Sequence, residues 1–199
     1  YGTVPVEQNP QNEETRGYLD PCAVRSCYAE SKRMGENMCV SWLHQFGVKA
    51  KIVRIFHSFG PGITLDDGRV FGDFVKSVVE GKDIELNSDG SALRAFCYVS
   101  DATRAFFTIL LKGENGSAYN MGNPYNELTI KELAELLIEL FPEKAIKLKM
   151  NVPRNQEAYI RSSLSRGLPD ISKIQKLGWN PQINVQDAFK RTIESFNND

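Results

Sequence analysis

The sequence predicts an α/β or α+β chain with parallel strand pairing, and three observations carry that expectation. Segments of helical periodicity alternate with short β-rich runs along most of the chain. Glycines stand where helix C-termini should fall, and one segment opens on a Thr-x-x-Glu capping box. No internal repeat and no low-complexity tract interrupts this order.

Residues 1 to 22, with three prolines and many Asn, Gln and Glu, read as an extended surface loop. A helix is expected from about Ser26 to Phe46, where Met34, Met38, Val40, Trp42 and Leu43 recur near helical spacing before Gly47. Lys51 to Phe56 is β-rich and ends in the loop Gly60-Pro61-Gly62. Val70 to Glu80 has the apolar spacing of a helix closed by Gly81, and Ile84 to Leu86 is a minimal strand before the turn Ser88-Asp89-Gly90. Arg94 to Val99 is another β run, after which Ser100 or Asp101 is expected to cap a helix through Leu111. Ala118 to Met121 reads as a strand. Thr129 and Glu132 form the capping box of a helix with Leu133, Leu136, Leu137 and Leu140 as its buried stripe, ended by Pro142. Asn151 to Arg166 is expected to be loop. Two helices follow, from near Asp170 to Leu177 and from Val185 to about Phe196.

Composition bounds the function classes. With 199 residues, 41% of them hydrophobic, the chain suits one large domain or a core with a small lobe. Its 24 basic and 25 acidic residues leave a charge of -1, which gives no bulk electrostatic reason to bind nucleic acid or an anionic membrane. The apolar stretch Ala105 to Leu111 falls far short of the roughly 20 residues that span a bilayer. The start Tyr1-Gly2-Thr3-Val4-Pro5 reads as a cut end and not as a secretory leader. Cys22, Cys27, Cys39 and Cys97 match neither a redox pair nor a zinc knuckle, and buried reduced thiols are expected. His44 and His57 offer almost nothing to a metal site. No Gly-x-Gly-x-x-Gly follows a strand, so the loop that would hold a dinucleotide pyrophosphate at a helix N-terminus is absent from the sequence.

The segment Tyr28-Ala29-Glu30-Ser31-Lys32 sets a phenol and an ammonium at i and i+4, on one helical face. A neighbouring cation favours the phenolate, which can take a proton from a substrate hydroxyl. The spacing alone is weak, and a solvated helix pair is its plain alternative.

Context adds to it. Arg25-Ser26-Cys27-Tyr28 and Arg33-Met34-Gly35-Glu36 flank the pair, and Arg54-Ile55-Phe56-His57-Ser58-Phe59-Gly60-Pro61 follows. Asp67-Gly68-Arg69-Val70 with Phe74 comes next, then Asp89-Gly90 with Arg94-Ala95-Phe96-Cys97-Tyr98-Val99-Ser100-Asp101, and last Pro169-Asp170-Ile171 with Leu177-Gly178-Trp179-Asn180-Pro181. Five blocks in this order resemble the extended short-chain dehydrogenase/reductases, in particular the nucleotide-sugar epimerases, dehydratases and decarboxylases.

The resemblance implies a partial Rossmann-like fold, the second half of a parallel sheet, with a small α/β substrate lobe. Residues 1–65 would be the half carrying Tyr28 and Lys32. Residues 66–199 would be mainly the sugar-nucleotide lobe, with about 92–112 and 166–199 packing back on the sheet. It implies NAD as cofactor, Tyr28 as base, Lys32 as tuner and ribose ligand, and Phe56 beside the nicotinamide. His57, in place of the usual Asn, and Arg94 would meet the nucleotide diphosphate; Arg69 and Arg166 would be further substrate contacts. Trp179 and Tyr98 are expected to be packing residues. The substrate class implied is a UDP- or dTDP-linked sugar, with no nucleic acid or membrane partner and a cytoplasmic location. A homodimer through the Tyr28 helix is a further implication, with Met34, Met38 and Trp42 either at that interface or in the monomer core.

Among chemistries, the blocks look most like UDP-glucuronate decarboxylases. Gly167 stands where those enzymes carry a second arginine after Arg166, and Ala92-Leu93 stand where Gln-Thr is usual, so an epimerase or 4,6-dehydratase is at least as consistent. A non-catalytic binding module is the alternative from another class. With half a dinucleotide-binding domain, the chain alone is expected to turn over nothing.

Overall fold

The computed structural model describes residues 1–66, 68–151 and 166–197. Asp67 and most of the expected loop from Asn151 to Arg166 lie outside the described residues.

The first long element is α1 (Ser26–Phe46), closed as expected by Gly47 in the left-handed conformation at φ 69°. There follow β1 (Ile52–Ile55), β2 (Ser58–Phe59), α2 (Val70–Glu80), β3 (Ile84–Leu86), β4 (Leu93–Ala95), β5 (Cys97–Tyr98), α3 (Val99–Lys112) and β6 (Ala118–Met121). The remainder is β7 (Glu127–Thr129), α4 (Ile130–Leu140), β8 (Leu148–Met150), β9 (Arg166–Gly167), α5 (Ser172–Gln175) and α6 (Val185–Glu194). The capping box of α4 is complete: the Glu132 amide donates to Thr129 Oγ1 at 3.0 Å, and the Thr129 amide to Glu132 Oε2 at 2.7 Å.

Parallel pairing prevails, β1 with β6, β2 with β5 and β3 with β8. The exception is β4, which pairs antiparallel with β7 on one side and parallel with β9 on the other. The single run expected from Arg94 to Val99 is split at Phe96. Asn126 holds the break, its carbonyl accepting from the Phe96 amide at 3.1 Å and its side chain donating to the Phe96 carbonyl at 3.2 Å. The strand therefore leaves one sheet and enters another within a residue.

Two apolar cores result. In the larger, α2, α4 and α6 bury Phe74, Val78, Leu133, Leu137, Phe189 and Ile193 around β3. Phe189 stacks on Phe59 with ring centroids 4.1 Å apart. In the smaller, α3 and α5 pack Ala105, Ile109 and Ile174 with Tyr119, Met121 and Trp179 beside β6. Trp179 and Tyr98 are buried packing residues, as the sequence predicts.

Four expectations are corrected. The N-terminal segment is not wholly a surface loop. Gln11 and Glu13 are buried, Gln11 bridges to Pro169, and Glu13 accepts the Asn120 amide at 2.8 Å. Of the four free cysteines only Cys97 is buried, because α1 and the turn before it lie at the surface. On α1, Met34, Met38 and Trp42 are exposed by 60%, 45% and 50%, which removes the core alternative for that stripe. The last concerns Asp101, which does not cap α3: that helix starts at Val99 with no side-chain cap. The carboxylate is 1% exposed and accepts the backbone amides of Gln182 and Ile183 at 2.9 Å each, and the Arg104 guanidinium at 2.6 Å.

Among the described residues no helix is long and apolar enough to cross a membrane, and no group of three His, Cys, Asp or Glu could hold a metal.

Removing the Asp101 carboxylate leaves two part-buried amide hydrogen bonds without an acceptor and Arg104 without its counter-ion. Asp101→Ala should lower the unfolding free energy by about 3 kcal/mol in urea titrations. A loss below about 0.5 kcal/mol, the range of a neutral surface change, would remove Asp101 as the tie between α3 and the C-terminal segment.

Candidate functional site

Tyr28 and Lys32 lie on one face of α1 and both are exposed, Tyr28 by 70%. The Lys32 ammonium sits over the Tyr28 ring, 5.4 Å from its centroid. The helix buries only Ser26, so contacts of its polar side must fix its position. Arg54 of β1 grips Glu36 of α1 through two hydrogen bonds of 2.7 and 2.8 Å. Its third arm donates to the Glu13 carbonyl at 2.9 Å, and its guanidinium lies 4.6 Å over the Tyr1 ring. The Arg54 hydrogen bonds hold the Glu36 carboxyl below the usual carboxylate range. Arg33 adds a hydrogen bond to the Gly17 carbonyl at 2.5 Å.

Phe56, directly after β1, is buried, and its ring lies 5.9 Å from that of Tyr1. Its amide donates to the Met121 carbonyl at 2.9 Å. Gly122 is required beside it, because a Cβ there would come within 2.8 Å of Pro169 Cγ and 2.9 Å of Phe56 Cβ.

His57 turns the chain from β1 into β2 with φ 35°, a left-handed conformation that Asn, Asp and His adopt more readily than other non-glycine residues. The backbone need explains how His can replace Asn at this point. Its carbonyl accepts the Cys97 amide at 3.2 Å, and its ring, partly buried, lies 6.1 Å from Phe96. Phe96 is 6.0 Å from Phe71, over which the Arg69 guanidinium sits at 4.8 Å. Arg94, on β4 two residues before Phe96, donates to the Leu93 carbonyl at 2.7 Å. Burial lowers its pKa from the usual guanidinium range. Burial first, then the charges of Arg94 and Arg69, push the His57 imidazole down to about 4. Phe71 and Phe96 thus lie between the Arg69 guanidinium and the His57 ring, and the charge of Arg94 reaches His57 as well.

Arg166 is placed differently. In the β4 register it pairs with Leu93, and Glu127 pairs with Ala95, so both project from the face opposite Arg94. There Arg166 makes a two-point ion pair with Glu127, at 2.7 and 2.8 Å. Gly167 is the residue beside Arg94. Sequence reading missed Glu127 and the Glu36 to Arg54 pair, whose partners lie 39 and 18 residues apart, beyond any local spacing rule.

The unfolded chain protonates His57 below about pH 6.5, whereas the folded chain resists until about 4, so this group costs stability as the pH falls through that window. Relative to the wild type, His57→Asn should gain about 2–3 kcal/mol of unfolding free energy between pH 7 and pH 4, read from urea titrations at both. An unchanged gap would mean that the imidazole is not desolvated.

A family model described as "NAD dependent epimerase/dehydratase family" matches residues 1–122. UDP-glucuronic acid decarboxylase 6 of Arabidopsis thaliana is 35% identical over 190 residues, covering 94% of this chain and 52% of that protein. The UDP-glucose 4-epimerase of Thermotoga maritima, solved with UDP-glucose, superposes with a TM-score of 0.73 at 25% identity, covering 85% of this chain and 53% of that one. RMD from Pseudomonas aeruginosa, solved with NADPH, gives a TM-score of 0.80 at 23% identity over 98% of this chain and 63% of the other, a likeness of fold. The chain spans about half the length of the curated relatives it matches. With a family model covering more than half of its residues, and the Tyr28, Lys32 and Arg94 blocks in order on a matching fold, the chain belongs to the NAD dependent epimerase/dehydratase family.

Proposed function

We propose that this chain supplies the proton-transfer pair and the substrate cradle of an NAD-dependent nucleotide-sugar epimerase or dehydratase. The placing of His57 and Arg69 on one aromatic floor, with the charge of Arg94 felt at His57, carries this reading, because nitrogen-rich side chains near one place suit a diphosphate. The division at about residue 65 is part of it. The smaller core, built on β1, β6, α3 and α5, would back the dinucleotide half, and the larger would carry the sugar nucleotide.

The donor set fits a dinucleotide at one point. An exposed ammonium beside a phenol offers hydrogen bonds to ribose hydroxyls, and buried Phe56 offers an apolar wall. NAD, when bound, would supply the acceptor for a hydride from C4 of the sugar. Tyr28 would be the base that takes the proton of the 4-hydroxyl as C4 becomes a ketone. Lys32, over the Tyr28 ring, would orient the phenol and hold the ribose. His57, Arg69 and Arg94 fix the diphosphate and so the sugar's reach toward Tyr28. Arg166, committed to Glu127, braces β9 against β4 and β7 on the face opposite Arg94. Exposed Met34, Met38 and Trp42, at i, i+4 and i+8, would meet their counterparts in a second copy.

A UDP-glucuronate decarboxylase is the second reading, supported by 35% identity to such enzymes. Gly167 beside Arg94 weighs against it, because a sugar carboxylate there lacks the second guanidinium expected of that pattern. Calorimetry with UDP-glucose and UDP-glucuronate separates the two, tighter binding of the acid favouring the decarboxylase.

Arg94→Ala should weaken UDP-glucose binding about 10- to 100-fold, the worth of charge-assisted hydrogen bonds, and an unchanged affinity would overturn the diphosphate role. Tyr28→Phe should leave that affinity within about twofold, because the phenol hydroxyl serves proton transfer and not the diphosphate. A loss of affinity as large as that of Arg94→Ala would move Tyr28 from the reacting centre to the cradle.

A further inference from the structure

We infer that the outer face of α3 is an interaction surface that pairs with the same face of a second copy of this chain. The inference goes beyond the nucleotide-sugar reading and does not depend on it, nor on the stripe of α1.

The sequence makes α3 apolar on two sides. Its inner side, Ala102, Ala105 and Ile109, is buried in the smaller core. On its outer side Val99, Phe106, Phe107, Leu110 and Leu111 are between 39% and 79% exposed. Single apolar side chains at a surface are ordinary, whereas a contiguous group on one helix face marks a contact. The charged residues of α3 are all drawn elsewhere. Asp101 takes the amides of Gln182 and Ile183, Arg104 donates to the Asn180 carbonyl at 2.8 Å, and Lys112 to the Leu177 carbonyl at 3.0 Å. The threonine hydroxyls turn back onto the helix, Thr103 donating to the Val99 carbonyl at 2.9 Å and Thr108 to the Arg104 carbonyl at 2.8 Å. A face without charge, whose threonines are satisfied from within, is suited to dry packing and offers little to a charged partner.

The spacing points to the occupant. Val99, Thr103, Phe106 and Leu110 follow one another at intervals of four, three and four, the seam along which two helices pack side by side. A two-fold axis through the middle of that seam would set Val99 of one copy against Leu110 of the other, and Thr103 against Phe106. Each layer then pairs a smaller side chain with a larger one, and one surface serves both copies. Area agrees with this. At these exposures the patch amounts to on the order of 500 Å² per copy. A pair of copies would therefore bury about 1,000 Å², the lower bound of a specific interface. Strands that lengthen the sheet of β1 and β6 add in its plane, and not over the outer side of α3.

The test is sedimentation equilibrium of the 199-residue chain. Trp42→Glu is introduced first, to silence the stripe of α1, so that any association left belongs to another surface. An interface of this size should leave that chain dimeric with a dissociation constant in the micromolar range. Adding Leu110→Glu sets a carboxylate in both halves of the contact and should raise the constant at least about 100-fold. The melting temperature should not move, because the side chain is exposed. Phe107→Glu should act likewise, and it decides the matter should Leu110→Glu not fold. A Trp42→Glu chain that stays monomeric at about 100 µM would overturn the inference. Association that survives both α3 variants would place the contact elsewhere and overturn it as well. A monomeric chain that binds phosphatidylcholine vesicles, and ceases to with Leu110→Glu, would assign the face to lipid and also overturn it.

Discussion

The buried carboxylate of Asp101 is the contact on which the arrangement of the candidate site depends. It leaves the first turn of α3 and takes the amides of Gln182 and Ile183, with Arg104 as counter-ion and the Trp179 indole on its own carbonyl at 3.0 Å. Ile183 is thereby fixed, and its carbonyl in turn accepts the side chains of Asn123 and Asn126 at 3.1 and 3.0 Å. Asn126 holds the break at Phe96, and α6, starting two residues after Ile183, brings Phe189 against Phe59 and Phe96. The floor under His57 and Arg69 thus descends from a carboxylate in another part of the chain. A buried charge is costly unless fully satisfied, and this one has three donors.

Charge is distributed unequally over the two faces of β4. On one face the Arg166 guanidinium meets Glu127 at two points, over buried Ala95. On the other, Arg94 is partly desolvated and its positive charge is felt by His57, as is that of Arg69. The first face is a closed structural pair. The second concentrates positive potential beside aromatic rings in a region of reduced solvent, the condition under which an anion is bound most strongly.

Most elements were legible because their signals are local. Helix periodicity, Gly47, Gly81 and the Thr129 to Glu132 box mark the helices α1, α2 and α4 at or within a residue of their observed ends. The candidate residues Tyr28 with Lys32, His57 and Arg94 could be singled out because they stand in blocks of sequence. What could not be read depends on distant partners. Asp101 looks like a helix cap from the residues around it, yet its acceptor role is set by amides 81 and 82 residues later. Arg166 looks like a substrate contact until the register of β7 and β9 across β4 places Glu127 within its reach. The run from Arg94 to Val99 looks continuous because the side chain that divides it, Asn126, comes from elsewhere.

The mode of attachment of α1 has a consequence of its own. A helix of 21 residues that buries only Ser26 draws little from the hydrophobic effect and is held by Arg54, Glu36 and Arg33. Such contacts respond to ionic strength, which screens partly exposed ion pairs while leaving apolar cores intact or strengthened. Rising salt should therefore loosen the helix bearing Tyr28 and Lys32 before it disturbs either core. The two tryptophans divide along that line: Trp42, half exposed on α1, would report the loosening in its fluorescence anisotropy, and buried Trp179 would stay silent. The position of Tyr28 and Lys32 is thus a property of the solution as well as of the fold.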